Sequence, residues 1–489
     1  MNLPIKKLGI LLICTLLILT ITPTNATTPT TDEQELPTQA LAKLTYPLHS
    51  IPALTEANQT LDITIQTTAT ISDATLQLQT AYEPVVDTYS ITPTSISQSA
   101  ETATLTIIIP EEAQPELYNL TATLQTDSGE LQVHQPRCIN IYEEIGDNFT
   151  FIHITDFHVG DFRGLPENPH ETLKHRNIKK CIEEINLLHP DFVIISGDLV
   201  FGQIHPFDYL YEYPLCYEML QLIDVPTFLV PGNHDGYHHI VLDGLKLWND
   251  YFGPHYHSFN YGDYHFIGLN SYDWPVFNRL TFFVVPFGWG GSIQDQQLQW
   301  LEDDLTAHSD SEKTFLYLHH NPMYETVSEN LFKWPYHNRY QLLDLIDEYN
   351  VDMVLGGHVH WDAVELDNDT IFLTTTTPRS GVGEDAYWGY RLIEMQDGEI
   401  SRYNYKEPHY SIPSYRLNIT QTTTEDSATF SLQNDLDQDL HVQLEATLAL
   451  GSYSTDIGTI IQTRNDSSNT QLYIALTLPA QTTTEVHIS

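Results

Sequence analysis

The sequence predicts a layered α/β domain over residues 147–408, set between two small all-β domains at 46–146 and 409–489. Three observations carry this reading. Apolar and polar residues alternate through 61–66, 74–79, 103–109 and 118–124, the pattern of strands buried on one face. The same alternation returns at 428–433, 441–448 and 471–478. Between the two β regions the texture changes. Short, wholly apolar runs there alternate with stretches of helical spacing, as expected for sheets covered on both faces. With 489 residues, 41% hydrophobic and 11% aromatic, the chain is too long for one core and rich enough to build several.

Taken in order, Lys6 and Lys7 precede an apolar run over 8–21, then Pro23 and Thr24-Asn25-Ala26. This reads as a secretory signal peptide, 1–26, cleaved after Ala26. An uncleaved anchor is the alternative, although the run is shorter than the roughly 18 apolar residues that a spanning helix needs. Residues 27–45, rich in Thr, Pro and Gln, are expected to be a linker. No later run is apolar enough to span a membrane, so the mature chain is expected to be secreted or displayed at the cell surface. Cys138, Cys181 and Cys216 remain after cleavage, an odd number that excludes a complete disulfide framework. Buried free thiols are expected, with a Cys181–Cys216 pair left open. Asn58, Asn119, Asn148, Asn368, Asn418 and Asn465 begin N-x-S/T tripeptides, which matter only in a host that glycosylates secreted proteins. The net charge of −45, from 65 acidic and 20 basic residues, disfavours nucleic-acid polymers and anionic lipid as partners. A small phosphorylated molecule remains compatible with it.

Within the first β region, residues 115–121 resemble the entry to a late strand of an immunoglobulin-like domain, with Tyr118 as its corner tyrosine. In the central region, residues 177–188, 297–305 and 340–349 have helical spacing, and Trp300 reads as a core residue. The last β region reads as a second small sandwich. Neither β domain shows a convergent polar set. Both are expected to be structural or adhesive, to offer any cell-surface contacts, and to be dispensable for chemistry.

The chemistry gathers at strand ends, around the segment 225–235. A buried strand there closes at Gly232 and presents Asn233, His234 and Asp235 in a row. Four more apolar runs end the same way: in Asp156-Phe-His158, in Gly197-Asp198, in His319-His320 and in Gly357-His358-Val-His360. In open α/β sheets such ends converge on one mouth. A D-x-H or H-x-H pair in extended backbone puts both side chains on one face, so each pair can clasp one ion. Asp, Asn and His without cysteine suit Mn, Fe, Zn or Co. His153, inside its strand, reads as a core or surface histidine.

The series D-x-H, G-D, G-N-H-D, H and G-H-x-H, in that order over about 148–407, resembles the calcineurin-like metallophosphoesterase superfamily. The resemblance implies a four-layer sandwich, two β-sheets flanked by helices, with a two-metal centre. It further implies that Asp156, His158 and His360 hold one metal, that Asn233, His320 and His358 hold the other, and that Asp198 bridges them. Between His319 and His320 the family's spacing to Pro322 favours His320, leaving His319 as a neighbour. His234 is the implied catalytic histidine, protonating the departing alkoxide, with Asp235 orienting its ring. A metal-activated water would attack a phosphomonoester or phosphodiester. Phe201 stands where purple acid phosphatases carry a metal-binding tyrosine, and Asp198 lacks the arginine that follows it in protein phosphatases. The cyclic-nucleotide and glycerophospho-diesterases are the most similar group. Arg163, Tyr237, His238 and His239 are candidates to line the substrate mouth. The rival reading is a surface adhesion or scaffold protein that keeps this fold as a binding platform.

Overall fold

The apolar runs of the central region pair into two six-stranded sheets. The first has the order Thr227–Val230, Phe192–Ser196, Phe149–Ile154, Gly389–Gln396, Glu399–Arg402, with Ile412–Pro413 as a sixth strand paired to Gly389–Gln396, and its first three strands are parallel. The second runs His257–Tyr261, Tyr264–Leu269, Lys313–Leu318, Met353–Gly356, Thr370–Thr374, Ala363–Asp367, with its four middle strands parallel. A computed structural model describes residues 42–161, 173–203, 205–282, 285–286, 290–324, 336–378, 388–407 and 410–489.

The two sheets face one another across an aromatic core. Phe151, Phe192 and Phe228 of the first sheet meet Phe266, Phe315 and Leu355 of the second. Phe151 lies edge-on to Phe266 and Phe315, at 5.5 and 5.7 Å between ring centroids. Alternate residues point the other way, because side chains along a strand change face at every step. Ile152, Ile154, Val193 and Ile195 pack under the helices Leu173–Leu188, Tyr209–Leu220 and Gly244–Tyr251. Ile267, Leu316 and Val354 pack under Asp295–Ala307 and Arg339–Glu348. Four layers result, and burial on both faces is why these strands read as unbroken apolar runs. His153 is buried in the inner layer with both ring nitrogens satisfied, by Thr375 Oγ1 (2.7 Å) and Ser196 Oγ (2.8 Å). Trp300 is half-buried on its helix, against Tyr256.

The flanking regions are all β, as their alternation predicts. The first builds two sheets, Ala42–Tyr46 with Thr60–Thr67, Thr102–Ile108 and Ser95–Ser99, and Ala53–Glu56 with Gly129–Tyr142, Glu116–Thr126, Ile71–Thr80 and Thr88–Ile91. Tyr118 donates its hydroxyl to Gln114 O (2.7 Å), four residues upstream. The last region builds two three-stranded sheets between Leu417 and Ile488. Two expected boundaries shift. The strand Ala42–Tyr46 begins within the segment 27–45 read as linker. Ile412–Pro413 pairs with Gly389 and Tyr390, so the first central sheet continues past residue 408. Cys138, Cys181 and Cys216 are buried free thiols, and the Cys181–Cys216 bond does not form.

The β regions do not stand apart. Leu41–Ser489 forms one compact unit. The last region shares a continuous core with the helix Leu173–Leu188, through Leu432, Leu444 and Ile474. The first region sends Arg137 into the central domain, where its guanidinium donates to the carbonyls of Leu220 (3.0 Å), Ile223 and Val225 (2.9 Å). The signal-peptide reading and most of the linker fall outside the described residues. Among those described, no helix is long and apolar enough to cross a membrane.

Candidate metal centre

Five strands deliver their C-terminal ends to one edge of the two sheets. Asp156 and His158 follow Phe149–Ile154, and Asp198 follows Phe192–Ser196. Asn233 follows Thr227–Val230, His319 and His320 follow Lys313–Leu318, and His358 and His360 follow Met353–Gly356. The turns are tight. A Cβ on Gly232 would collide with the Asp198 carboxylate, and one on Gly197 with the backbone of Gly232. Asp156, His158, Asp198, His358 and His360 all hold left-handed backbone, with φ of 60, 47, 54, 71 and 61°. Non-glycine residues avoid that region, and five together at one edge mark a site that the scaffold imposes on its side chains.

Two clusters form. In the first, His360 Nε2 lies 3.0 Å from Asp156 Oδ1, and His158 Nε2 lies 3.4 Å from the same oxygen and 3.1 Å from His360 Nε2. In the second, His319 Nε2 lies 3.1 Å from Asp198 Oδ2, 3.2 Å from Asn233 Oδ1 and 3.1 Å from His358 Nδ1. Asp198 Oδ2 also lies 3.6 Å from His158 Nε2, which puts this carboxylate between the clusters. Facing imidazole nitrogens at these distances need a proton or a metal ion between them. The donors are nitrogen and oxygen only, and the set fits borderline-to-hard metal ions.

The expected preference for His320 over His319 is not what the geometry supports. His320 Nδ1 is 3.0 Å from the Ser271 hydroxyl and its ring lies beside Tyr272, although it stays grouped with His319 and His358. Strand parity explains the difference. Phe315 and Tyr317 point between the sheets, Leu316 and Leu318 toward the helices, and the next residue, His319, inherits the inter-sheet direction. Its Nδ1 donates to Ser196 O (2.8 Å), which turns Nε2 toward Asp198.

The Asp235 reading also fails. Its carboxylate accepts from Val200 N (3.0 Å) and Gly232 N (2.8 Å), stapling two loops from beneath. The ring of His234 is held instead by Phe201, whose carbonyl accepts from Nδ1 (2.5 Å) and whose side chain stacks on the imidazole. His234 Nε2 is thereby aimed toward the centre, 4.0 Å from Asp198 Oδ2. Tyr237 does not line the mouth. It is buried, and its hydroxyl accepts from Asn233 Nδ2 (2.6 Å), which turns the amide oxygen toward His319. His239 is buried beneath the adjoining loops and His238 is half-buried, while Arg163 lies outside the described residues.

Burial alone would raise the Asp156 carboxyl, but the imidazoles of His360 and His319 outweigh it and hold it well below the usual range. Asp198 is likewise pushed up by burial and driven down further by His319 and His234. Burial lowers His319, yet Asp198 and Asp156 overcome this and raise it to about 9. His234 is pulled below the usual imidazole range by burial, with Asp198 opposing. Asp235 is pushed up to about 8 by burial and by Asp198. The centre therefore concentrates negative charge on Asp156 and Asp198, the two carboxylates that face the imidazoles.

Sequence reasoning missed the supports. Thr377 Oγ1 donates to Asp156 O (2.8 Å) and Thr376 Oγ1 to His360 O (3.2 Å). Asp362, two residues past His360, accepts from Arg391 Nη2 (2.8 Å) and from Ser411 N (2.7 Å). An arginine inside the apolar run 389–395 was the available signal, since a buried guanidinium demands a partner.

A profile of the calcineurin-like phosphoesterase family matches residues 149–362. A probable glycerophosphodiester phosphodiesterase of Arcobacter nitrofigilis is 28% identical over 238 residues, 48% of this chain and 80% of the relative. A probable cyclic nucleotide phosphodiesterase of Vesicomyosocius okutanii is 27% identical over 218 residues, covering 44% and 79% respectively. An acid phosphatase of Aspergillus ficuum is 30% identical over 136 residues, 22% of each chain. Residues 149–362 thus belong to the calcineurin-like phosphoesterase family, and the chain that carries them is a metal-dependent phosphoric ester hydrolase.

Proposed function

We propose that the chain is a secreted hydrolase of small phosphodiesters or phosphomonoesters with a two-metal centre, flanked by two immunoglobulin-like modules. The observation that carries this is the position of Asp198 Oδ2, within 3.6 Å of His158 in one cluster and 3.1 Å of His319 in the other. Asp156, His158 and His360 would hold one ion, Asn233, His319 and His358 the second, and Asp198 both. Such ions supply Lewis acidity, polarising phosphoryl oxygens and lowering the pKa of bound water.

The protein's own share is positional. Tyr237 fixes the Asn233 amide, Ser196 fixes the His319 ring, and Phe201 holds His234 with Nε2 facing the centre. From there His234, once protonated at Nε2 as well as Nδ1, can pass a proton to the departing alkoxide. The names of the relatives favour diesters, and the low positive charge of the chain favours small substrates. The test is a metal titration of the purified, chelator-treated protein against a nitrophenyl phosphodiester and the matching monoester. Activity should vanish with the metal and return as roughly two equivalents of Mn²⁺ are restored. Full activity in protein verified to be free of metal would overturn the reading.

A further inference from the structure

Each of the two clusters draws its donors from both sheets. In the first, Asp156 and His158 extend from the first sheet and His360 from the second. In the other, Asp198 and Asn233 belong to the first sheet, and His319 and His358 to the second. The gap between the sheets at this edge therefore fixes how far apart the donors of each cluster stand. Metal–donor distances tolerate only about 0.2 Å of error. Apolar contact is non-directional, whereas a hydrogen bond across the gap is directional enough to set it.

Between the aromatic core and the metal edge lies a polar layer built by strand parity. Phe151, Ile194 and Leu373 point into the space between the sheets. The residues two steps further on, His153, Ser196 and Thr375, point the same way, and all three are fully buried. His153 spans the gap. Its Nε2 lies 2.8 Å from Ser196 Oγ on the neighbouring strand of the first sheet, and its Nδ1 lies 2.7 Å from Thr375 Oγ1, just past a strand of the second. Burial, with Arg391 beside it, pulls the imidazole down to about 3, so the ring is neutral. A neutral imidazole has one donor and one acceptor, and this bridge uses both.

Both ends of the bridge continue into the clusters. Ser196 O accepts from His319 Nδ1 (2.8 Å), and Ser196 stands two residues before Asp198. Thr375 N donates to Gly356 O (2.9 Å), two residues before His358. Thr376 and Thr377, next in the chain, hold the carbonyls of His360 and Asp156. His153 belongs to neither cluster, yet its partners connect to donors in both. We propose that His153 is a positioning residue: its bridge from Ser196 to Thr375 sets the distance between the sheets at the metal edge, and with it the spacing of the donors around the two ions. The inference rests on the two-metal reading.

The test compares the parent with His153→Leu, which fills the space without either hydrogen bond, and with His153→Gln, whose amide restores a donor and an acceptor. Calorimetric titration of the chelator-treated full chain with Mn²⁺ should show affinity lowered by roughly 10–100-fold in His153→Leu and largely recovered in His153→Gln. Two Mn²⁺ ions bridged by one carboxylate couple their spins, so electron paramagnetic resonance of the saturated proteins reads their separation. The coupled spectrum of the parent should change in His153→Leu and return in His153→Gln. Unchanged affinity and spectrum in His153→Leu would overturn the inference even if its metal-free melting temperature falls, because His153 would then serve the core alone. Equal losses in both variants would also overturn it, since the hydrogen bonds would not be what matters. If His153→Leu does not fold, Thr375→Val cuts the bridge at its other end and is read by the same two measurements. A parent that takes up no Mn²⁺ would remove the two-metal reading itself, whatever the variants do.

Discussion

His319 and His320 differ by one step along a strand, and that step decides which can reach Asp198. The family's spacing to Pro322 does not see the step, whereas parity counted from Phe315 and Tyr317 does. The distinction was thus legible in the sequence, though not through the motif. Asp235 was not legible, because nothing in a row of polar residues says which one faces down into the loops. If His319 is the ligand, His319→Asn should lower bound metal from roughly two equivalents to one, while His320→Asn keeps both. Metal analysis of the two purified variants decides this, and the reverse pattern would restore His320. His234 is separable by leaving group. His234→Asn should keep its metal yet slow an alkyl ester by roughly 10²–10⁴-fold. A nitrophenyl ester, whose phenolate departs without a proton, should slow far less. Equal losses on both esters would remove the acid role.

At the scale of elements, the inner strands were legible because burial on both faces leaves only apolar runs. The helix Tyr209–Leu220 was not, since Pro214 lies inside it and its aromatic residues show no clean stripe. Short edge strands such as Ser95–Ser99 were equally hidden, because four of their five residues are exposed and carry no alternation. The helix Leu173–Leu188 brings a titratable group into the junction with the last β region. Glu184 is buried there, accepting from the Tyr390 hydroxyl (3.0 Å) and Tyr415 N (2.7 Å). Burial raises its carboxyl to about 7 from 4.5, against the pull of Lys180. Between those values the folded chain holds a proton that the unfolded chain has lost. Stability should therefore fall as pH rises through that window, by about 3 kcal/mol from this group. Glu184→Gln should flatten that dependence in melting curves taken from acid to mildly alkaline pH. An unchanged slope would mean that Glu184 is ionised in the fold.

For the whole molecule, the alternating textures revealed two β regions but not how tightly they lock. Arg464 of the last region is buried against the first, donating to Glu116 (2.8 Å), Asp87 (3.0 Å) and Val85 O (2.8 Å). With Arg137 reaching into the central domain, each region holds another. No local pattern announces such contacts, because they join residues from 83 to 379 positions apart. The chain from Leu41 onward should melt in one calorimetric transition, and Arg464→Ala should lower its stability by about 3 kcal/mol without splitting the peak. Separate transitions for the β regions would show that they fold on their own. Their expected dispensability for chemistry does not extend to stability, because removing the last region would uncover the core it shares through Leu432, Leu444 and Ile474.

The left-handed backbone at Asp156, His158, Asp198, His358 and His360 sets folding against function. Glycine would relieve each of these positions by about 1 kcal/mol, and it would also remove the donor. A library of variants sorted for heat resistance alone, with metal withheld, should drift toward glycine or asparagine at these five positions before it changes the core. The same library sorted for ester hydrolysis should hold all five. The difference between the two outcomes would read out, position by position, how far catalysis works against the chain's own preference.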